Sequence, residues 1–148
     1  MKIIHCIQSD IDLAVEAIVT VKCVEDGLPI KLATNTAMET FLSNPLNYLL
    51  VAVDGSKPVG YLIAYEHQRP DREQSMMFLY DITILSSYRK MGIGTELIEK
   101  LKLICSTKPM MKLFVPTNRS NKPAVGLYQK TGAVLSSDTD EVFLTWNF

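Results

Sequence analysis

The chain has 148 residues, 47% of them hydrophobic and 21% charged, the balance of one folded domain that can bury its own core. Fifteen basic side chains against sixteen acidic ones leave a formal net charge of -1, which gives no electrostatic footprint for nucleic acid or an anionic membrane. Cys6, Cys23 and Cys105 are odd in number and scattered, which argues against a disulfide framework or a zinc site and fits a reducing compartment.

Lys2 to Ile7 reads as a first strand, too short for a signal-peptide core. No stretch approaches the roughly 18 apolar residues of a membrane span. A cytoplasmic protein is expected, with no metal, no nucleic acid and no membrane partner. Ser9 or Asp10 can cap a helix whose Leu13, Ala14, Ala17, Ile18 and Val21 recur at helical spacing. Glu25-Asp26-Gly27-Leu28-Pro29 reads as a loop, and a short helix is expected from Thr36 to Leu42, before Asn44-Pro45.

The clearest hairpin joins Tyr48–Val53 to Val59–Tyr65 through Asp54-Gly55-Ser56-Lys57-Pro58, with its Asp-Gly turn signal. After the polar loop His67–Glu73, Met76 to Leu85 makes the third strand of a meander. Helices are then expected at Thr95–Ile104 and Ala124–Lys130, with a short buried strand at Lys112–Val115 and a closing strand at Glu141–Trp146. The sum is a single α+β domain over residues 1–148.

The most informative stretch is Ser86-Ser87-Tyr88-Arg89-Lys90-Met91-Gly92-Ile93-Gly94, between a strand and a helix. A diphosphate needs several inward-pointing N–H donors and room for close approach. Gly92 and Gly94 remove the Cβ atoms that would block it, and the N-terminus of the helix beginning near Thr95 adds donors and dipole. Arg89 and Lys90 add charge. It is no Walker loop, since no G-K-[ST] follows, and R-x-x-G-x-G is not the dinucleotide fingerprint. A plain glycine turn would look the same locally.

A second motif supplies context: Asn121-Lys122-Pro123-Ala124-Val125-Gly126-Leu127-Tyr128-Gln129-Lys130-Thr131-Gly132. Together the two stretches resemble the GNAT acetyltransferase superfamily, which carries R-x-x-G-x-G after its fourth strand and N-x-x-A-x-x-L-Y-x-K-x-G after its fifth. Tyr61-Leu62-Ile63-Ala64-Tyr65-Glu66 and Tyr80-Asp81-Ile82-Thr83-Ile84 sharpen the likeness toward the aminoglycoside 3-N-acetyltransferase branch, over roughly residues 48 to 147. The first 45 residues match much less clearly. Ser86 stands where the family often has proline.

The resemblance implies a GNAT fold, with a mixed, mostly antiparallel sheet of six to seven strands flanked by about four helices. It implies acetyl-CoA as cosubstrate, a small-molecule amine acceptor with aminoglycosides among the candidates, and a homodimer. The fourth and fifth strands would splay so that the pantetheine arm lies along the backbone of Ile82, Thr83 and Ile84. The pyrophosphate would sit on Arg89, Lys90, Met91, Gly92, Ile93, Gly94 and Thr95. Asn121 would bond the pantetheine arm, or serve only as a helix cap.

Tyr128 matches the family position whose hydroxyl points at the sulfur and is the candidate general acid. Asp81 is the candidate for the acceptor, as anchor for an ammonium or as the proton's acceptor directly or through water. Alternation puts it with Thr83 on the face opposite Ile82 and Ile84. A satisfied strand-edge carboxylate is the plain alternative. Glu66 is second choice for the acceptor. His5 and His67 read as surface or hydrogen-bonded residues, and Glu25, Asp26, Asp71 and Glu73 as loop acids bordering the cleft or simply solvated. Two other readings stay open: acetylation of a protein or peptide amine, and a non-catalytic acyl-CoA-binding module.

Overall fold

The computed structural model describes residues 1–29 and 34–135. The chain packs into two compact units, Met1–Pro116 and Thr117–Phe148. In the first, β1 (Lys2–His5) leads into a helical rod: α1 (Ile11–Ala17), a wide π-type turn (Ile18–Lys22) and α2 (Cys23–Asp26). Helix α3 (Asn35–Ser43) comes next, then β2 (Asn47–Asp54), β3 (Lys57–His67) and β4 (Ser75–Ile84). Helix α4 (Ile93–Ser106) and strand β5 (Met110–Phe114) complete the unit, and α5 (Lys122–Lys130) belongs to the second.

Among the described residues the sheet runs β1-β2-β3-β4-β5. The first four strands pair antiparallel and β5 joins β4 in parallel, the mixed, mostly antiparallel α+β arrangement expected. Five described strands stand where six to seven are expected, and the expected strand at Glu141–Trp146 lies outside the described residues.

Strand β2 reads as a continuous apolar run because Tyr48 to Val53 are all buried, with helices over both sheet faces. The helical rod and α3 lie over the face that carries Leu49 and Ile63. On the opposite face, Lys108, just past α4, reaches Tyr48 and Glu66. The rod anchors with Ala14, Ala17 and Val21, and α4 with Ile93, Leu97, Ile98 and Leu101, all buried.

Besides shifts of one or two residues at the ends of most elements, three details differ from the sequence reading. The rod continues through Glu25 and Asp26 and stops at Gly27, so these acids are helical rather than in a loop. Asp10 makes no cap bond forward; its carboxylate accepts the Ile7 N–H at 2.9 Å instead. Strand β5 starts two residues early and is mostly half-buried rather than buried.

Strand β4 is irregular in two ways. Ile63 and Ala64 of β3 face Asp81 and Leu79, so Tyr80 is an extra residue, a bulge that leaves it 59% exposed. In addition, β5 pairs with β4 only from Ser75 to Phe78. Gly60 lets β3 and β4 close up beyond the bulge: a Cβ there would lie 3.1 Å from Ile84 Cγ1 and 3.3 Å from the Thr83 carbonyl oxygen. Gly60→Ala is therefore expected to destabilise the fold by about 1–3 kcal/mol, as overpacking at a closed site does. The urea midpoint checks it; an unchanged midpoint would mean β4 moves aside freely here.

Candidate active site

The side chains that gather on one face of β3 and β4 are set by register. Tyr61 faces Thr83 and Ile63 faces Asp81 across the two strands. The Tyr61 hydroxyl, on a fully buried residue, donates to Asp81 Oδ2 at 2.6 Å and lies 3.1 Å from Thr83 Oγ1, which itself donates to Asp81 Oδ1 at 3.3 Å. Burial and then the bond to Asp81 push the Tyr61 phenol up, so it remains a protonated donor.

The helical rod adds a charge to this cluster. Lys22, the last residue of the π-type turn, places Nζ 3.0 Å from Asp81 Oδ2 and 2.8 Å from Asp26 Oδ2. A π-type turn holds an extra residue, so it rotates the rest of the rod by about 100° relative to an unbroken α-helix. Burial would lower the Lys22 ammonium pKa, but hydrogen bonds to Asp26 and Asp81 outweigh it and raise it. Two carboxylates and one ammonium leave the cluster one negative charge in excess.

One turn further, Glu25 binds the segment after β4. Its Oε1 accepts the Ser86 N–H at 2.9 Å, and its Oε2 lies 2.5 Å from Arg89 Nη2. Arg89 also donates through Nε to the Ile84 carbonyl at 3.1 Å. Of the expected cradle, then, Arg89 is turned back toward β4 and α2. Lys90, at φ 64°, Met91 and Gly92 are exposed at the start of α4.

Gly92 sits at φ 87°, a left-handed conformation that favours glycine, and the space a Cβ would fill is open. The Glu96 N–H makes the first helical bond back to Gly92, so the N–H groups of Ile93, Gly94 and Thr95 have no partner within the helix. Beyond Phe78 the β5 side of β4, including Ile82, Thr83 and Ile84, has no strand partner among the described residues. An open cradle of N–H donors beside a half-unpaired strand fits a ligand with a phosphate end and a strand-like, amide-bearing arm.

On the Asp81 side, a cavity of about 220 Å³ opens between the rod, α3 and the sheet. Ile18, Ala37, Met38, Phe41, Leu49 and Ile63 form its walls, and Lys22 and Thr34 are the polar residues among the described lining.

Glu66 does not join this group. It points to the opposite sheet face, buried, with Oε2 accepting from the Tyr48 hydroxyl at 2.7 Å and pairing with Lys108 Nζ at 2.5 Å. Its place as second choice for the acceptor is not supported by this geometry, because its carboxylate is already satisfied inside the fold. In the second unit, Asn121 Oδ1 accepts the Ala124 N–H at 3.3 Å and so caps α5, while Tyr128 is half-buried on that helix.

The chain matches the acetyltransferase (GNAT) family over residues 21–133, well over half its length. It belongs to that family. An L-2,4-diaminobutyric acid acetyltransferase from Shouchella clausii is 28% identical over 118 residues, 72% of this chain. The chain spans 64% of that relative's length. An aminoglycoside acetyltransferase from an uncultured soil metagenomic sample, in complex with trehalose, superposes with TM-score 0.86 at 20% identity, covering 99% of this chain and 96% of that one. A ribosomal-protein-alanine N-acetyltransferase from Brucella melitensis superposes with TM-score 0.72 at 18% identity, covering 99% and 98%. At such identities these structural likenesses show the fold.

Within this GNAT chain, no helix among the described residues is long and apolar enough to cross a membrane. Two members of the Asp81 cluster, Tyr61 and Lys22, escaped the sequence reading as site residues, while Asp26 was read as a loop acid bordering the cleft or simply solvated. Tyr61 carried a signal, since the hairpin register sets it opposite Thr83. Lys22 carried none, because its position depends on a π-type turn that no residue pattern announces.

The Glu66 pair gives a pH dependence. Burial raises the carboxyl, but hydrogen bonds from Lys108, Tyr48 and Ser75 outweigh it and hold the group below its ordinary value. A depressed folded value means stability that is present above the unfolded value, about 4.3, and is lost as pH falls through the folded one. Glu66→Gln, with no proton to gain, is expected to be less stable at pH 7 and to decline more gently below about pH 4.5. Urea unfolding at a series of pH values checks this; parallel profiles would show that Glu66 carries no such linkage.

Proposed function

We propose that the chain is an N-acetyltransferase that moves the acetyl group of acetyl-CoA directly to a primary amine of a small cationic acceptor. One observation carries the reading. Strand β4 sheds its β5 partner beyond Phe78, and the freed stretch presents Asp81 and Thr83, with Tyr61 beside them. A strand-like arm and an ammonium can therefore meet along the same few residues. The diamino acid and the aminoglycosides in the relatives' names are also small amines.

Acetyl-CoA, when bound, supplies an acetyl group activated as a thioester. The backbone of Ile82, Thr83 and Ile84 would hold its pantetheine arm, and a fixed N–H there is a donor for developing negative charge, worth about 3–4 kcal/mol. Lys90, Met91, Gly92, Ile93, Gly94 and Thr95 would take the pyrophosphate on backbone N–H groups, with Arg89 able to join by leaving Glu25. Asn121 would add a bond to the arm. Asp81, which accepts hydrogen bonds from Lys22, Tyr61 and Thr83, would anchor the acceptor's ammonium and receive its proton directly or through water. Tyr128 would return a proton to the departing sulfur. These last two roles, one catalytic domain over both units, a homodimer and a cytoplasmic setting rest on the motif resemblance.

Thiol release from acetyl-CoA across a panel of small amines and peptides tests the reading. Tyr128→Phe is expected to lower kcat about 10²-fold or more with acetyl-CoA KM little changed, as loss of a general acid does. Asp81→Asn is expected to raise the acceptor KM at least about tenfold. Tight acetyl-CoA binding without thiol release on any amine would overturn it in favour of a binding role.

A further inference from the structure

We infer that the acceptor is a primary amine carried on a compact apolar body, such as an alkylamine or phenylalkylamine, and not a hydroxyl-rich polyamine. The inference names the substrate class of the proposed acetyltransferase site; it rests on that reading for the fate of the amine but not for its binding.

Three observations point the same way. First, the cavity beside Asp81 is apolar. Its walls are Ile18, Ala37, Met38, Phe41, Leu49 and Ile63, and Ile63 is the register partner of Asp81 itself. Hydroxyl groups set against those side chains would lose their water without gaining partners. Second, about 220 Å³ is below the roughly 300 Å³ at which pockets begin to hold drug-sized ligands, so the part of a ligand this cavity takes in is small. Third, the walls are unfinished: no residue of α3 is fully buried, although Ala37, Met38 and Phe41 face the cavity. Phe41 meets Tyr65 edge-on at 5.8 Å, and Tyr65 meets the bulged Tyr80 at 5.5 Å, which continues the apolar wall toward β4.

The charge at the rim completes the match. Lys22 is the charged residue of the described lining, and its ammonium lies between Asp26 and Asp81. The trio has one negative charge in excess, enough for one further cation. An ammonium bound at Asp81 would share or replace the contact Lys22 now makes, while the apolar body fills the cavity. Among the described residues, a molecule with several ammonium groups finds one such place at this cavity.

Equilibrium binding by calorimetry, with thiol release measured in parallel, tests this on the full chain. The probes are hexylamine, 2-phenylethylamine and sisomicin. Hexylamine or 2-phenylethylamine is expected to bind at least about tenfold tighter than sisomicin, as one well-matched contact surface can provide. Met38→Gln is expected to weaken that binding about tenfold and leave sisomicin unaffected. Ile63→Thr, smaller but still β-branched, should do the same if Met38→Gln does not fold. Sisomicin binding tighter than both apolar amines, or affinity for them untouched by the folded variant, would overturn the inference; sisomicin-dependent thiol release would then leave the acetyltransferase reading standing. Tight binding of an apolar amine with no thiol release from any amine would do the reverse.

Discussion

Backbone N–H and C=O groups must find partners, and in a sheet the neighbouring strands supply them. Strand β4 has two such neighbours only as far as Phe78; from Leu79 to Ile84 it keeps β3 alone among the described residues. The extra residue at Tyr80 falls at this transition, where a bulge bends a strand and sharpens its twist. An unpaired strand edge is usually a liability. Here it leads in a few residues to the positive-φ positions Lys90 and Gly92 and to the open N-terminus of α4. Amide groups on the unpaired strand edge and at the helix end are thus separated by a short segment in which the N–H groups of Leu85, Ser86, Tyr88 and Arg89 already have partners.

With β5 gone as a neighbour, something else has to hold the freed half of β4 in line, and the helical rod does so at two points. Lys22 reaches Asp81 near the beginning of the stretch, and Glu25 takes the Ser86 N–H and Arg89 just past its end. The two residues are three apart on the rod, so they lie on one helical face. Exposed ion pairs contribute little, about 0–1 kcal/mol. These are partly shielded, with side-chain exposures of 21% at Asp81 and 13% at Glu25, so losing one partner would leave a poorly hydrated charge behind. The rod therefore links the wall of the apolar cavity to the segment that leads from β4 to α4.

What the sequence disclosed depended on whether the signal was local. The hairpin, the cradle glycines and the α4 stripe of Leu97, Ile98 and Leu101 depend on nearby residues, and each was legible with its boundaries off by one or two positions. Alternation also put Asp81 and Thr83 on one face, where Tyr61 is found bonded to Asp81. Glu66 misled because alternation depends on counting: the bulge at Tyr80 lies between it and Asp81 across the strand pair, and only the actual register shows that they face opposite ways. Lys22 was invisible for a different reason. Its contact with Asp81 spans 59 residues of sequence and depends on the phase of a π-type turn. The apolar cavity was hidden likewise, since it draws on the rod, α3, β2 and β3 together.

A net charge of -1 over the whole chain says little about partners, and pairing explains why the local picture says more. Glu66 is matched by Lys108 and Glu25 by Arg89, so neither carboxylate is left to attract a ligand. The Asp26–Lys22–Asp81 trio, by contrast, carries a surplus, and it is negative, at the rim of an apolar cavity. At the other end of the same strand, Lys90 and the N–H groups of α4 left open by the helix make a positive site. On the proposed reading, a polyanion and a cationic amine would be drawn to opposite ends of one freed strand segment. A negative surplus at the Asp81 end would let both be bound at once, which the proposed direct transfer between them requires.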